Sequence, residues 1–350
     1  MKINKWWKYA LIAVVLLSLL IFGYCCFLWS YPPSAQAPED KTAAPAEIRL
    51  ALAHNSALFV PLYAALNEGF FTKEGLIVKL NTASSPDEAL AWLLSGDCEM
   101  MLGGPETALY LAQQKNKTQL IHIALAAADT GYFVVSRNTD KPFAWQDMKG
   151  KIVIGSHPGE LPGIIFNLIL KENKLRPLHD VHIIHNLPTA SAQAAFQSGT
   201  GHYLLAFEPL ATRMEKENNC HVVSKLELSS GPLAASTFIV TSEYRRNSHD
   251  SCQGFLNAFQ AGLSWTWEHT PEDIVSATQS YFPNEDTKTL LRSVSRYKNL
   301  GCWPLTALPD NTAFERLQEV MLLENELLVK INLSKSVDTT FAQKAIETRQ

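Results

Sequence analysis

The chain has 350 residues, 47% of them hydrophobic, enough length and apolar material for two lobes with separate cores. Its formal net charge is −4 and its basic residues form no run or stripe, which excludes nucleic acid and anionic lipid surfaces as the main partner. Beyond the first 37 residues the cysteines Cys98, Cys220, Cys252 and Cys302 stand too far apart for a metal signature.

Residues 1–37 read as an export segment. Lys2, Lys5 and Lys8 form a positive end, residues 10–29 are apolar and uncharged, and Pro32 and Pro33 break the run before Ala35-Gln36-Ala37, a small-residue cleavage pattern. A cleaved signal peptide and an N-terminal membrane anchor are both open readings, and both place the remainder outside the cytoplasm, in a periplasmic or extracytoplasmic location. Tyr24 before Cys25 and Cys26 speaks against a lipid anchor, which needs a small residue there. Residues 38–46, rich in Pro and Ala, read as a linker. Removing the three leader lysines leaves the exported part with an excess of acidic over basic side chains.

The first lobe opens with a strand over residues 48–53. A helix with apolar positions Phe59, Leu62, Tyr63 and Leu66 follows, stopped by Gly69, and Gly75 opens a period-two strand through Leu76, Val78 and Leu80. Strand, loop, helix and strand make a crossover unit, and the loop after the first strand lies at the edge where open α/β sheets bind ligands. A helix over residues 86–95, capped by Ser84 or Ser85, and a strand over 98–102 come next. Gly103-Gly104-Pro105-Glu106 then sets bare backbone before a helix, either for a ligand or simply for a tight turn. Strands at residues 120–126 and 131–135 flank a crossover at 128–131. The second lobe alternates in the same way, with strands at 151–155, 181–184, 203–206 and 222–223 and helices at 161–171, with an apolar face of Ile164, Ile165, Leu168 and Ile169, and at 190–197. The strand at 237–240 is the expected return crossover. Helices at residues 252–267, 271–280, 286–297, 311–328 and near Val337 are expected to brace the first lobe, with Trp265 and Trp267 as core. Lobe 1 is therefore assigned to residues 47–129 and 233–350, and lobe 2 to 130–232. If a disulfide forms, Cys252 with Cys302 is the expected pair; buried thiols are the alternative.

Glu68-Gly69-Phe70-Phe71, Glu74-Gly75-Leu76, Leu90-Ala91-Trp92-Leu93-Leu94-Ser95-Gly96-Asp97, Gly103-Gly104-Pro105, Lys149-Gly150-Lys151-Ile152 and Glu208-Pro209 occur in an order and spacing that resemble the solute-binding proteins of the nitrate, sulfonate and thiamine-precursor ABC importers. The resemblance runs over most of residues 47–240. It implies an α/β, type II periplasmic-binding-protein fold, with two doubly wound lobes joined by two crossovers and a helical C-terminal part. It also implies a monomer without cofactor that captures a small molecule by hinge closure and presents it to an ABC permease.

Overlaid on that pattern, six loops face the cleft: residues 54–63, 103–107, 129–132, 156–161, 187–191 and 207–209. They contain no Lys or Arg, and they carry Glu106, Asp129, Glu160 and Glu208. Carboxylates in a closing cleft repel anions, while Phe59, Tyr63, Tyr132, His157 and Phe207 offer flat faces for a ring or a cation. The expected ligand is neutral or cationic, a pyrimidine or an amine. The candidate ligand-binding residues are Asn55, Ser56, Phe59 and Tyr63 from the first loop and Gly103, Gly104 and Glu106 from the second. Tyr132 joins from the third, Ser156, His157 and Glu160 from the fourth, and Phe207 and Glu208 from the last. Glu208 with Pro209 could instead cap a helix.

The sequence has no Gly-x-Ser-x-Gly elbow and no His-Glu-x-x-His pair, and no lysine joins His54 and His157 in these loops as a pyridoxal-dependent pyrimidine synthase of this fold would need. His182 and His185, three apart on a strand, point to opposite faces and make a poor metal pair. No catalytic residue, metal or cofactor is expected. An extracytoplasmic sensor, a degenerate scaffold and an enzyme on the same fold stand as alternatives.

Overall fold

The computed structural model describes residues 44–348, apart from residues 115–117, 138–141, 219, 229–230 and 232. The expected export segment and all but the end of the linker lie outside the described residues. Among the described residues no helix is long and apolar enough to cross a membrane.

Two five-stranded sheets carry the fold. The first is built from β1 (Ala46–Leu52), β2 (Leu76–Thr82), β3 (Met100–Gly103), β4 (Leu120–Ala127) and β10 (Ser236–Thr241), in the order β2-β1-β3-β10-β4. The second contains β5 (Tyr132–Ser136), β6 (Ile152–Ile154), β7 (His182–Ile184), β8 (Tyr203–Phe207) and β9 (His221–Lys225), in the order β7-β6-β8-β5-β9. β1 runs parallel to β2 and β3, and β6 parallel to β7 and β8, while β10 and β5 run antiparallel to their neighbours. The central strand β3 and the edge strand β4 are both buried along their whole length, which is why they read as nearly continuous apolar runs. The chain leaves the first sheet after β4 and returns to it as β10, the two crossings the sequence places at 128–131 and 237–240.

The helices are α1 (Val60–Asn67), α2 (Phe70–Lys73), α3 (Pro86–Ser95), α4 (Glu106–Gln113), α5 (Leu161–Glu172), α6 (Thr189–Gln197) and α7 (Leu210–Asn218). They continue with α8 (Ser242–Asn247), α9 (His249–Glu268), α10 (Pro271–Thr278), α11 (Thr287–Asn299), α12 (Asn311–Leu323) and α13 (Thr340–Glu347). Local chemistry sets most of the boundaries. Ser85 accepts the Glu88 N–H at 3.2 Å to start α3, and Asp286 accepts Lys288 and Thr289 N–H groups, each at 3.1 Å, to start α11. Gly69 interrupts the first helix in the left-handed region at φ 69°, but the chain re-enters a helical turn, α2, which the sequence pattern does not suggest. The helices α7 and α8 also lie where the sequence reading has none.

Three expectations for the C-terminal part change. α12 stops at Leu323, five residues early, and the last helix begins at Thr340, while Val337 pairs with His122 beside β4. The C-terminal helices do not brace the first sheet alone. α9 does, packing so closely on α1 that a Cβ at Gly262 would stand 2.3 Å from the Pro61 carbonyl. α12 instead packs on α5, burying Leu317, Val320 and Met321 with Ile164, Ile165 and Ile169 in the core beneath the second sheet. Cys252 and Cys302 form no bridge, and all four described cysteines are buried and in no disulfide.

Candidate functional site

The carboxyl ends of β1, β2, β6 and β7 point toward one cleft of about 340 Å³. His54 and Asn55 follow β1, Ser84, Ser85 and Pro86 follow β2, Ser156, His157 and Glu160 follow β6, and Leu187, Pro188 and Thr189 follow β7. Tyr132 at the start of β5 and Phe207 at the end of β8 complete the wall. Three rings form a continuous surface: His54 lies 4.8 Å from Phe207, centroid to centroid, and Tyr132 lies 5.3 Å from Phe207. Phe59, buried, supports His54 from behind at 5.4 Å. Burial pulls the His54 imidazole down to about 4, so it is neutral at pH 7.

Glu160 is the one carboxylate among the residues lining this cleft. Burial raises its carboxyl to about 7 against the opposing pull of His157. A side recess of about 240 Å³ shares Pro86, His157 and Glu160 with the cleft and reaches Glu106 and Tyr110. Glu106 is 6% exposed, and burial raises it too to about 7. Its Oε1 accepts the Leu161 N–H at the start of α5, 3.1 Å away, while Oε2 has no partner. Gly104 makes room for this side chain: a Cβ there would fall 2.1 Å from Oε1. The backbone bared by Gly104 is therefore covered by the protein's own carboxyl group, and Gly103 by Met101.

The other two loop carboxylates are neutralised by cations from outside the loops. Asp129 accepts the Gly131 N–H at 2.8 Å and pairs with Lys225 of β9 at 2.7 Å. Glu208, with 0% exposure, sits in a network that the six loops give no hint of. It accepts Thr212 N and Oγ1 at 3.0 Å each and Ser293 Oγ at 3.1 Å, and it pairs with Arg296 of α11. Its backbone is equally engaged. The Glu208 carbonyl accepts Ser56 Oγ and Ala57 N at 3.1 Å each, and its N–H donates to the Tyr297 hydroxyl at 2.8 Å. The expectation of four carboxylates acting in the cleft is thus corrected: Glu160 lines it, Glu106 lies behind it, and Asp129 and Glu208 hold structure together. Glu208 also precedes a cis peptide bond to Pro209.

Of the candidate residues, Asn55, Tyr132, Ser156, His157, Glu160 and Phe207 meet at the cleft. Asn55 is anchored, donating to the Tyr281 carbonyl at 2.8 Å and accepting from the Tyr63 hydroxyl at 2.6 Å. Tyr63 is buried against Tyr281, and Ser56 caps the turn before α1, so neither reaches the cavity. Ser156 is 8% exposed and its hydroxyl has no protein partner. The loop after β2, with Thr82, Ser84 and Ser85, is absent from the six loops of the sequence reading. Its signal is topological, because β2 runs parallel to β1 and must open on the same edge. Among the described residues no group of three or more His, Cys, Asp or Glu side chains could hold a metal ion.

A model of the NMT1/THI5 like family matches residues 56–273. YtlA of Bacillus subtilis (strain 168), named as a candidate binding protein, is 31% identical over 298 residues, 85% of this chain and 89% of its own. Among solved structures, the alkanesulfonate-binding protein SsuA from Xanthomonas axonopodis pv. citri, bound to MOPS, superposes with a TM-score of 0.68 at 13% identity, over 85% of this chain and 99% of that one. The periplasmic nitrate-binding protein NrtA from Synechocystis PCC 6803 gives 0.70 at 12% identity, over 86% and 88%. The desulfurization enzyme DSZB has the same fold at a TM-score of 0.61 and 15% identity, over 87% and 100% of the two chains. The type II periplasmic-binding-protein architecture is therefore the fold of this chain, and the fold hosts both binding and catalysis.

Proposed function

The chain belongs to the NMT1/THI5-like family, and on that premise we propose that it is the extracytoplasmic solute-binding component of an ABC-type importer. Residues 1–37 would export it, as a cleaved signal or as an anchor. Lobe 1 (residues 47–129 and 233–350, without α12) and lobe 2 (residues 130–232, with α12 packed on it) would close on the ligand about the two crossings and present the closed form to a permease. A binder rather than an enzyme is favoured because the named relatives are mostly binding proteins.

The observation that carries the ligand class is the cleft wall: three adjoining rings, hydroxyls from Ser84, Ser85 and Thr189, one carboxylate at Glu160, and no Lys or Arg among its described residues. Such a wall suits a neutral or cationic ring or amine, a pyrimidine among them. The charge argument is narrower than the sequence implies, since Asp129 and Glu208 are already paired, and it rests on Glu160 with Glu106 behind it.

The test is a thermal-shift screen of the purified protein against pyrimidines, amines, alkanesulfonates and nitrate. A ligand at one hundred times its Kd adds about 2.7 kcal/mol of stability, an easily read shift. A hit among amines or pyrimidines supports the reading, and Glu160→Gln should then weaken an amine about tenfold, the loss of one charge-assisted hydrogen bond. A sulfonate or nitrate hit on the wild type would keep the importer and sink the ligand class.

A further inference from the structure

The start of α5 is an anion site that the chain fills itself. Glu160, its N-cap, makes no side-chain cap, Pro162 has no N–H, and the Gly163 N–H turns back to the Glu160 carbonyl at 3.0 Å. The Leu161 N–H is the donor this terminus has to give, and the Glu106 carboxylate takes it at 3.1 Å. Glu106 is itself the first residue of α4. Two helix starts thus meet at one carboxyl group. A second observation marks the place as a site. The Ser156 hydroxyl, buried and without a protein partner, lies 2.8 Å from where a Cβ of Gly163 would be, against the first turn of α5. The glycine at 104 keeps the opposite wall bare, so the space fits a group the size of a carboxylate and is occupied by one.

We infer that Glu106 is a specificity-determining residue, a built-in carboxyl group that occupies the α5 N-terminal site and thereby excludes sulfonate-, phosphate- or sulfate-like groups from the cleft. The inference deepens the proposed neutral or cationic ligand class and rests on that reading. The exclusion has two parts. The side chain fills the space, and whatever fraction of it is ionised repels an incoming anion through a water-poor interior. Removing the side chain should therefore free the Leu161 N–H for a ligand, with the unpartnered Ser156 hydroxyl against the same first turn of α5.

The experiment is isothermal titration calorimetry with inorganic sulfate at pH 7.5, on the wild type and on Glu106→Ala, Glu106→Ser and Glu106→Gln, each first checked for a cooperative melt. The wild type should give no saturable binding in the millimolar range. Glu106→Ala and Glu106→Ser should bind sulfate at least tenfold more tightly than wild type, and Ser156→Ala on the Glu106→Ala background should take back several-fold of that gain. Glu106→Gln, which keeps the volume and an acceptor for Leu161, should stay close to wild type. A folded Ala or Ser variant with no gain overturns the inference, as does a Gln variant that gains as much as Ala. Sulfate binding by the wild type overturns it whatever the variants do. An amine or pyrimidine hit on the wild type together with no sulfate gain refutes the role of Glu106 alone. Sulfate gain by Glu106→Ala in a protein that ignores amines and pyrimidines refutes the ligand class alone.

Discussion

Replacing Arg296 by Ala strips the cation from the most completely buried acid among the described residues. Glu208 has no exposed surface, and Arg296 is 17% exposed. After the substitution the carboxylate keeps three neutral donors, Thr212 N and Oγ1 and Ser293 Oγ, but no counter-charge. Glu215 loses the Arg296 Nη2 contact at 2.6 Å, and Phe133 loses the guanidinium that stands 5.4 Å from its ring centroid. Removing one partner of a buried pair costs about 3–5 kcal/mol, because the other is left as an uncompensated charge away from water. At roughly 2 °C per kcal/mol for a chain this size, the melting temperature should fall by about 6–10 °C. Arg292, whose side chain is 57% exposed and pairs with Glu215 at 2.9 Å, provides the control. Arg292→Ala should cost less than about 1 kcal/mol, as exposed pairs do. Urea unfolding at pH 7 reads both, with equal m-values confirming that the two variants unfold from the same folded state. Equal losses for the two variants, or a loss under about 1 kcal/mol for Arg296→Ala, would refute the view that Glu208 and Arg296 hold α11 against the turn after β8.

The pH dependence of stability follows from the raised carboxyls. In the folded protein Glu106 and Glu160 keep their protons to about 7, whereas the unfolded chain releases them near 4.5, so the folded state binds more protons between those values and stability falls as pH rises through them. His54, held down to about 4, acts in the opposite sense below its ordinary 6.5, so the wild type must be compared with a variant. The melting temperature of Glu106→Gln should gain on wild type from pH 4.5 to 7 and run parallel to it above; a constant gap across that range would count against the burial argument. For an amine ligand, affinity should rise as pH passes 7 and Glu160 ionises, measured by titration at pH 6 and 8, and a pH-independent Kd would remove Glu160 from the contact. Burial also raises the thiols of Cys252 and Cys302 to about 12. Cys98, Cys220, Cys252 and Cys302 should resist a thiol reagent in the native protein and all react in denaturant without reductant, and two labels missing from these four, with a mass two hydrogens below that expected for the labels taken up, would reveal a bridge that the structure lacks.

The fold is legible in the sequence because its signals are local. Alternating strands and helices, the caps at Ser85 and Asp286, and Gly69 in the left-handed region are each set by residues within one turn of one another. The carboxyl ends of parallel strands then fix where a cleft must be, which is why the strand pattern points to the loop with Asn55, while the family resemblance adds Ser156, His157 and Glu160. The short helices α2 and α8 escape because four and six residues carry too little period to separate from loop, and α7 because Leu210, Ala211 and Met214 are its only apolar residues.

What the sequence alone determined is the layout: two α/β units, a ligand edge, and a family resemblance carried by the order of short motifs. Only the tertiary structure decided the chemistry of the edge. Glu208 meets Arg296 across 88 positions of chain, Asp129 meets Lys225, and Glu106 reaches the Leu161 N–H across 55. Hydrophobic period tells each residue which way to face, but it says nothing of which distant charge it will face. With 34 acidic and 30 basic side chains on the chain, that pairing is fixed only when packing brings particular helices together and excludes water between them.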